Sequence, residues 1–131
     1  IQAGAIIGTD AFYYKKVEEG YKKFRSGGRV VIEDDVEIGA GCTINKGVSG
    51  DTIVGAGSKL DCLVHLGHGV VIGKRCLIAG QVGIGGKSIV GDDCILYGKV
   101  GIIQNVTIGD KAVILAGTGV ANFRCNKRAG T

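Results

Sequence analysis

The sequence predicts an all-β fold, a parallel β-helix of about five coils from which two loops protrude. Three observations support this prediction. Aliphatic residues recur at every sixth position, small or β-branched residues stand two positions ahead of them, and glycine follows half of them, as expected at a turn. A helix repeats its apolar face about every 3.6 residues and an isolated strand every second residue, so neither explains this period. One short strand and one corner account for each repeat, and three repeats close a triangular coil.

The aliphatic series runs without a miss from residue 54 to residue 120. The small residue ahead of each member is expected to point inward with it, because alternate residues of a strand share a face. Cys76 and Cys94 occupy this small position three hexads apart, so they are expected to stack on successive coils as reduced, structural thiols. The series consists of Val54, Leu60, Leu66, Ile72, Ile78, Ile84, Val90, Leu96, Ile102, Ile108, Ile114 and Val120.

The breaks in the repeat divide one predicted domain, residues 1–131, into segments. The sequence starts at Ile1 rather than at methionine, and already within a hexad step, so we expect it to be a fragment of a longer chain. The predicted segments are the first hexads (1–8), an aromatic and basic protruding loop (9–30), the main coils (31–120) with an inserted loop (46–51), and a tail that loses the period (121–131).

The segment 9–30 holds five of the seven aromatic residues together with four lysines. Its acidic centre, Glu18-Glu19-Gly20, can turn between two arms, which predicts a hairpin. Loops on a rigid scaffold commonly bind ligands, and Phe12 and Tyr14 are therefore candidate substrate contacts. Alternatively, the aromatic residues cap the open end of the solenoid or fill a subunit interface, and the sequence favours neither interpretation.

Composition argues against several classes of function. The formal net charge is only +4, and no arginine-rich stripe with interleaved aromatic residues indicates nucleic-acid binding. No apolar run approaches the roughly 18 residues of a membrane span, and no segment resembles a signal peptide. The five cysteines include no Cys-x-x-Cys pair. This favours a cytoplasmic protein with reduced thiols over a zinc or disulfide protein.

The two histidines lie three residues apart, and the repeat assigns both to the surface. His65 alternates with inward neighbours and points outward, while His68 falls at the following corner. His68 is a candidate general base, because the usual histidine pKa near ~6.5 suits proton transfer at neutral pH. Asp61 is a candidate for orienting its imidazole from a neighbouring corner. Gly86 stands three hexads after His68, one coil above, where its N–H could stabilise the oxyanion of an acyl-transfer intermediate.

Residues 60–73, within the hexad frame, resemble the left-handed β-helix acyltransferases, most closely the UDP-3-O-acylglucosamine N-acyltransferases of lipid A biosynthesis. Residues 7–14 are similar to that family's Asp-Gly-Phe-Gly-Tyr segment. Residues 36–47 and 51–55 are similar to its coils before and after the inserted loop. Hexads alone are shared by many acetyl- and acyltransferases, whereas two interruptions followed by this histidine motif are more specific.

The resemblance implies a left-handed coil and a cytoplasmic homotrimer with active sites in clefts between neighbouring prisms. The implied reaction moves a 3-hydroxyacyl chain from acyl carrier protein to the 2-amino group of a UDP-3-O-acylglucosamine, with no further cofactor and no metal. The family's uridine-binding domain is not within the sequence, and Asn105 replaces a second family histidine. The implied site comprises His68 as base, Gly86 as oxyanion donor, and His65, Phe12, Tyr14 and Asn105 as substrate contacts.

Other functions fit parts of the same sequence. The scaffold also serves O-acyl- and acetyltransferases that use acyl-CoA, and a non-catalytic trimeric scaffold is a further alternative. In the latter case His65 and His68 would be ordinary surface residues. A metal-dependent lyase of this fold would need at least three ligands, and only two histidines are present.

Overall fold

The structure, a computed structural model, describes residues 1–121, which contain strands and corners but no helix. The predicted tail, 121–131, lies outside the described residues except for its first position. The strands are β1 (Ile6–Thr9), β2 (Tyr14–Val17), β3 (Gly20–Lys23), β4 (Arg29–Ile32), β5 (Glu37–Ile38), β6 (Thr43–Asn45), β7 (Asp51–Val54), β8 (Lys59–Leu60), β9 (His65–Leu66), β10 (Val71–Ile72), β11 (Leu77–Ile78), β12 (Gly83–Ile84), β13 (Ile89–Val90), β14 (Ile95–Leu96), β15 (Gly101–Ile102), β16 (Thr107–Ile108), β17 (Val113–Ile114) and β18 (Gly119–Val120).

From β4 onward, each strand pairs in parallel with the strand three elements later in the chain. His65 pairs with Gly83, and Gly83 pairs with Gly101, so one coil corresponds to three hexads. Three flat faces result. The first face is the sheet β1-β6-β9-β12-β15-β18, the second is β4-β7-β10-β13-β16, and the third is β5-β8-β11-β14-β17. The predicted all-β parallel β-helix of about five coils is confirmed.

The twelve aliphatic residues of the series form the centre of the prism. Each of them is at most 4% exposed, and together with the small inward residues they make one continuous core cluster. Because every coil supplies side chains at the same three positions, apolar layers stack directly on one another. The core therefore follows from the six-residue period.

The small inward residues also satisfy backbone groups that the corners turn towards the core. Ser58 Oγ donates to the carbonyl of Gly73 (2.7 Å) and accepts from the N–H of Cys76 (3.0 Å). The thiol of Cys76 donates to the carbonyl of Gly91 (3.0 Å), and Cys94 makes the equivalent contact one coil above (3.1 Å). Both cysteines are fully buried and free. Where the small inward position holds serine or cysteine, its hydroxyl or thiol serves as the partner that a buried backbone polar group needs.

The glycines that follow the aliphatic residues provide clearance between coils rather than left-handed backbone. A Cβ on Gly55 would lie 2.5 Å from the carbonyl oxygen of Gly73, and a Cβ on Gly85 would lie 2.5 Å from the backbone nitrogen of Gln104. The left-handed residue comes two positions later and is often not glycine, as at Leu63 (φ 62°). The expected role of these glycines in the turn was therefore wrong, because the close approach of neighbouring coils decides the residue type.

Residues 10–28, between β1 and β4, leave the coil and include an antiparallel hairpin of β2 and β3, so Thr9, Arg29 and Val30 of the predicted loop 9–30 belong to the coil. Tyr14 pairs with Lys23, and Lys16 pairs with Tyr21. Cross-strand partners share a face, so these four side chains lie on one side of the hairpin. The coil resumes at the start of β4.

The inserted loop between β6 and β7 is fastened to the base of the hairpin segment. The N–H groups of Gly27 and Gly28 donate to the carbonyls of Val48 and Gly47, both at 2.8 Å. Within residues 1–121, no helix is long and apolar enough to span a membrane.

We expect a substitution in the core to lower the free energy of unfolding much more than a substitution on a face. Ile84 is 1% exposed, and Leu77 on the third face is 51% exposed. Ile84→Ala should lower the free energy of unfolding by about 2–5 kcal/mol, because it removes buried methyl groups and leaves a cavity. Leu77→Ala should lower it by less than about 1 kcal/mol. Urea unfolding followed by circular dichroism measures both, and equal losses would contradict the assigned register.

Candidate functional site

His68 lies at the corner between the first and second faces, where two neighbours hold its imidazole. The ring of Tyr13 stacks on it, with the centroids 5.4 Å apart and the planes 9° from parallel. Gly86 stands against the same imidazole, since a Cβ on Gly86 would come within 2.5 Å of Nε2 and 2.8 Å of Cδ2. Any side chain on residue 86 would displace the ring.

The two ring nitrogens of His68 have different surroundings. Nδ1 is enclosed and has no hydrogen-bond partner among residues 1–121, whereas Nε2 beside Gly86 is the nitrogen open to a substrate. Burial lowers the pKa of His68 below its ordinary value of 6.5, and the positive charge of Lys87 lowers it further. The imidazole is therefore neutral at pH 7, which is the form that can accept a proton.

The backbone above the imidazole leaves one amide free. The N–H of Gly85 donates to the carbonyl of Ile102 (2.7 Å), and the N–H of Lys87 donates to the carbonyl of His68 (2.8 Å). In the described part of the chain, the N–H of Gly86 makes no hydrogen bond. An imidazole and a backbone N–H without a partner among the described residues thus stand together at this corner, and acyl transfer uses two groups of these kinds.

A polar cleft of about 390 Å³ lies where the hairpin segment meets the first face. His65 is exposed in this cleft, and its Nδ1 is 2.7 Å from Thr43 Oγ1. Burial lowers the pKa of His65, and its contact with Thr43 opposes this shift. Lys23 Nζ donates to Asp10 Oδ2 (2.8 Å), and this bond lowers the pKa of the carboxyl. The polar cleft is lined by Thr9, Asp10, Ala11, Phe12, Tyr14, Lys23, Thr43, Asn45 and His65.

A second, aromatic cleft of about 680 Å³ lies between the hairpin and the corner two coils above His68. Phe12 and Tyr14 pack edge to face at 5.3 Å, and both line the two clefts, so this pair separates them. The predicted substrate contacts Phe12, Tyr14 and His65 are thus brought together. The aromatic cleft is lined by Phe12, Tyr13, Tyr14, Tyr21 and Gln104.

Asp61 does not contact His68. One carboxylate oxygen of Asp61 accepts from the N–H of Cys62 (2.7 Å), while Nδ1 of His68 has no partner among the described residues. Asp61 precedes His68 by one hexad plus one position. This separation places Asp61 on the preceding corner of the same coil rather than beneath the imidazole of His68. The predicted orienting contact is therefore not formed within this chain.

Asn105 does not share the column of His68 and Gly86. Ile84 pairs with Ile102, so the residue above Gly86 is Gln104. Asn105 takes the left-handed corner position next to it (φ 59°), and its N–H donates to the carbonyl of Gly86 (3.0 Å). Asn105 therefore lies beside this column, its substrate contact stays a prediction, and Gln104 lines the aromatic cleft.

The first face carries a glycine trough above His65, formed by Gly83, Gly101 and Gly119. These residues point outward on three successive coils, and a Cβ on any of them would meet nothing within 4 Å. None has a positive φ. Glycine weakens a strand interior, and among residues 1–121 no packing requires it at these three positions.

Sequence reasoning missed three features of the site: Tyr13, Gln104 and the glycine trough. The three-hexad register alone predicts both Gln104 and the trough. Gln104 stands three hexads after Gly86, and the glycines of the trough stand three hexads apart from one another, starting three hexads after His65. Tyr13 gave a weaker signal, namely a tyrosine where the resembled motif has its second glycine. Its contact with His68 depends on how a non-repetitive segment folds back on the coil.

We expect the Tyr13 stack to control the pKa of His68. Tyr13→Ala should raise that pKa towards 6.5, because the imidazole would lose the ring that shields it from water, whereas Tyr13→Phe should leave it low. The chain has only two histidines, so NMR titration with His65→Asn for assignment gives the value directly. An unchanged pKa in Tyr13→Ala would show that the stack does not desolvate the ring.

The profile of the family described as bacterial transferase hexapeptide (six repeats) matches residues 51–86. Among curated relatives, the chain is 52% identical over 86 residues to the UDP-3-O-acylglucosamine N-acyltransferase of Methylobacterium sp. (strain 4-46). It is 51% identical over 85 residues to that of Helicobacter hepaticus. These matches cover 66% and 64% of this chain. The chain spans only 24% and 26% of the length of the two relatives.

Solved structures with the same fold include a UDP-N-acetylglucosamine acyltransferase from Francisella novicida, with a TM-score of 0.78 and 32% identity. A second, from Bacteroides fragilis 9343, has a TM-score of 0.81 and 27% identity. These alignments cover 89% and 95% of this chain and 41% and 46% of the others. By its repeat and its fold the chain is a hexapeptide-repeat β-helix, and over 66% of its length its sequence is similar to a UDP-3-O-acylglucosamine N-acyltransferase.

Proposed function

We propose that this chain forms the catalytic β-helix of an N-acyltransferase of lipid A biosynthesis. The enzyme transfers a 3-hydroxyacyl group from acyl carrier protein to the 2-amino group of a UDP-3-O-acylglucosamine, works in the cytoplasm and needs no bound cofactor. The observation that carries the proposal is the position of His68, whose Nε2 lies beside Gly86. Burial lowers the pKa of this histidine, which favours the neutral form that accepts a proton. The names of the curated relatives supply the substrates.

The geometry supports direct transfer without an acyl-enzyme intermediate. Nε2 of neutral His68 takes a proton from the 2-amino group as its nitrogen attacks the thioester carbonyl. The N–H of Gly86 donates to the oxygen that becomes negative in the tetrahedral intermediate. The C–S bond then breaks, and the proton held on His68 passes to the leaving thiolate. An amide and a free thiol result, and the imidazole returns to its neutral form.

The glycine trough supports an acyl substrate. Gly83, Gly101 and Gly119 leave a smooth channel along the first face that starts at His65 and runs along the coil stack. A linear hydrocarbon chain fits such a channel, whereas side chains at these positions would obstruct it. A channel on an open face also needs an outer wall, which a neighbouring prism supplies in the proposed homotrimer.

The second face supports assembly with further copies of the chain. Its outward row is Val31, Ile53, Val71 and Ile89, of which Ile89 is 44% exposed. A contiguous β-branched face of this kind is typical of a surface that another protein covers. The outer wall of the trough and the cover of the second face then come from neighbouring subunits.

An O-acyl- or acetyltransferase that uses acyl-CoA is the second candidate. The solved structures of similar fold are named UDP-N-acetylglucosamine acyltransferases, and this name does not specify an amine acceptor. A comparison of acyl carrier thioesters with acyl-CoA, and of amine with hydroxyl acceptors, separates the two candidates by mass spectrometry of the product.

We expect His68→Ala to lower kcat of the full-length protein by about 10²–10⁴-fold, because it removes the proton acceptor. Lys74→Ala, at an exposed corner away from the clefts, is the matched control and should retain full activity. The wild-type kcat/KM should fall in acid with a midpoint below pH 6.5, since protonation of a residue with a lowered pKa inactivates the base. Thioester consumption by purified protein measures all three. Near-normal turnover by His68→Ala would refute the assignment.

We also expect Gly101→Leu to shorten the acyl chain that the enzyme prefers, because the new side chain would stand in the glycine trough. The outward position has open space, so the variant should fold with an unchanged melting temperature within a few degrees. Products formed from a mixture of 3-hydroxyacyl carrier thioesters, analysed by mass spectrometry, give the chain-length distribution. If the distribution stays that of the wild type, the acyl chain does not lie in the trough.

A further inference from the structure

Within the described chain, the imidazole of His68 lacks the hydrogen bond that commonly orients a histidine base. In such bases Nδ1 donates to a carboxylate or a carbonyl, which sets the direction of the ring. Nδ1 of His68 is enclosed and has no partner among residues 1–121, and the carboxylate of Asp61 accepts from the N–H of Cys62 instead. The contacts that orient this ring in the described chain are therefore packing contacts.

Packing bounds the imidazole on one face and at one edge. The ring of Tyr13 lies almost parallel to it, with 9° between the planes and 5.4 Å between the centroids, which is an offset stack. The backbone of Gly86 lies at the edge that carries Nε2, where a Cβ would come within 2.5 Å of that nitrogen. The stack fixes the plane of the imidazole, and within that plane Nε2 points to Gly86.

Tyr13 is held in turn by Phe24, on the other arm of the hairpin. Their ring centroids are 4.9 Å apart, with 53° between the planes. The N–H of Phe24 also donates to the carbonyl of Tyr13 (3.0 Å), one step beyond the pairing of Tyr14 with Lys23. The rings of Tyr13 and Phe24 are each only 38% exposed. A partner across the hairpin thus keeps Tyr13 against the imidazole of His68 rather than in solvent.

Phe24 separates a positioning effect from a substrate contact. Tyr13 lines the aromatic cleft, so a substitution at position 13 alone changes both the stack and the cleft. Within residues 1–121, Phe24 lines neither the polar cleft nor the aromatic cleft, and its ring packs on Tyr13 rather than on His68. An effect of Phe24 on the reaction would therefore pass through Tyr13.

We propose that Tyr13 is the positioning residue of the base: its ring, held by Phe24, keeps the imidazole of His68 with Nε2 at Gly86, in place of a hydrogen-bonded carboxylate. This inference rests on the proposed function, in which His68 is the base, and it deepens that function by naming what orients the base. The stack uses the ring of Tyr13 and does not need its hydroxyl. Unlike a carboxylate, it places no negative charge beside Nδ1, which agrees with the lowered pKa of His68.

Steady-state kinetics of the full-length protein test this role. Tyr13→Ala should lower kcat by about 10- to 100-fold, because a misplaced base transfers its proton less often. Tyr13→Phe keeps the ring and should retain most of the activity. Phe24→Ala should lower kcat several-fold at an unchanged KM, and the double variant should be no slower than Tyr13→Ala, because Phe24 acts through Tyr13. Tyr97→Ala, on the third face, is the control and should keep full activity.

NMR of the same variants measures the position of the imidazole without any substrate. In the wild-type protein, nuclear Overhauser effects should connect the ring protons of Tyr13 and His68, and the ring current of Tyr13 should shift the His68 signals upfield. The upfield shift should be lost in Tyr13→Ala, kept in Tyr13→Phe and reduced in Phe24→Ala. The signals of His65, which lies outside the stack, provide the internal reference.

Four results would overturn the inference. These are a wild-type kcat in Tyr13→Ala, an increase in KM alone, a kcat in Tyr13→Phe as low as in Tyr13→Ala, and His68 signals that Tyr13→Ala leaves in place. Failure of the proposed function gives a different result. If the wild-type protein transfers no acyl group while the His68 signals respond to both Tyr13→Ala and Phe24→Ala as expected, the stack orients the imidazole and acyl transfer is rejected.

Discussion

The stacking of each coil on the next, three hexads along the chain, is the constraint on which the other features depend. Backbone hydrogen bonds in three parallel ladders fix the spacing of the coils, and no side chain can change it without breaking a ladder. The repeat therefore does more than build a core. It converts sequence separation into position, so that His68, Gly86 and Gln104 form a column and His65 with Gly83 and Gly101 forms another.

The spacing of the coils also determines which residue types the corners require, where turn propensity alone does not predict them. A glycine such as Gly85 is required because the backbone of the coil above lies where a Cβ would be. Leu63 accepts a left-handed conformation at a cost of about 1–2 kcal/mol, and within residues 1–121 eight other non-glycine residues do so as well. The solenoid tolerates this strain because each coil adds burial and ladder bonds. At Gly86 the missing side chain leaves room for the imidazole of His68 rather than for the backbone of the coil above.

The six-residue period made much of this molecule predictable from its sequence. The features that it did not predict have physical reasons as well. The fold, the core and the partnership of His68 with Gly86 follow from the hexad register. Asp61 does not reach His68, because the two are not separated by a whole number of coils, and for the same reason Asn105 lies beside the column of His68 rather than in it. The contact of Tyr13 with His68 could not be derived from the sequence. The position of Tyr13 results from the packing of a hairpin that belongs to no repeat, and long-range contacts of this kind leave no periodic signal.

The repeating coil and the hairpin segment that interrupts it contribute different parts of the site. The coil supplies the rigid part, in which ladder bonds hold the imidazole of His68 against the backbone of Gly86. The hairpin segment supplies aromatic rings beside that corner, in positions that no repeat dictates. Tyr13 connects the two parts, because its ring lines a cleft and also stacks on the imidazole. A change in the hairpin segment therefore alters the clefts, whereas the surroundings of His68 stay the same only if the residue at position 13 still covers its ring.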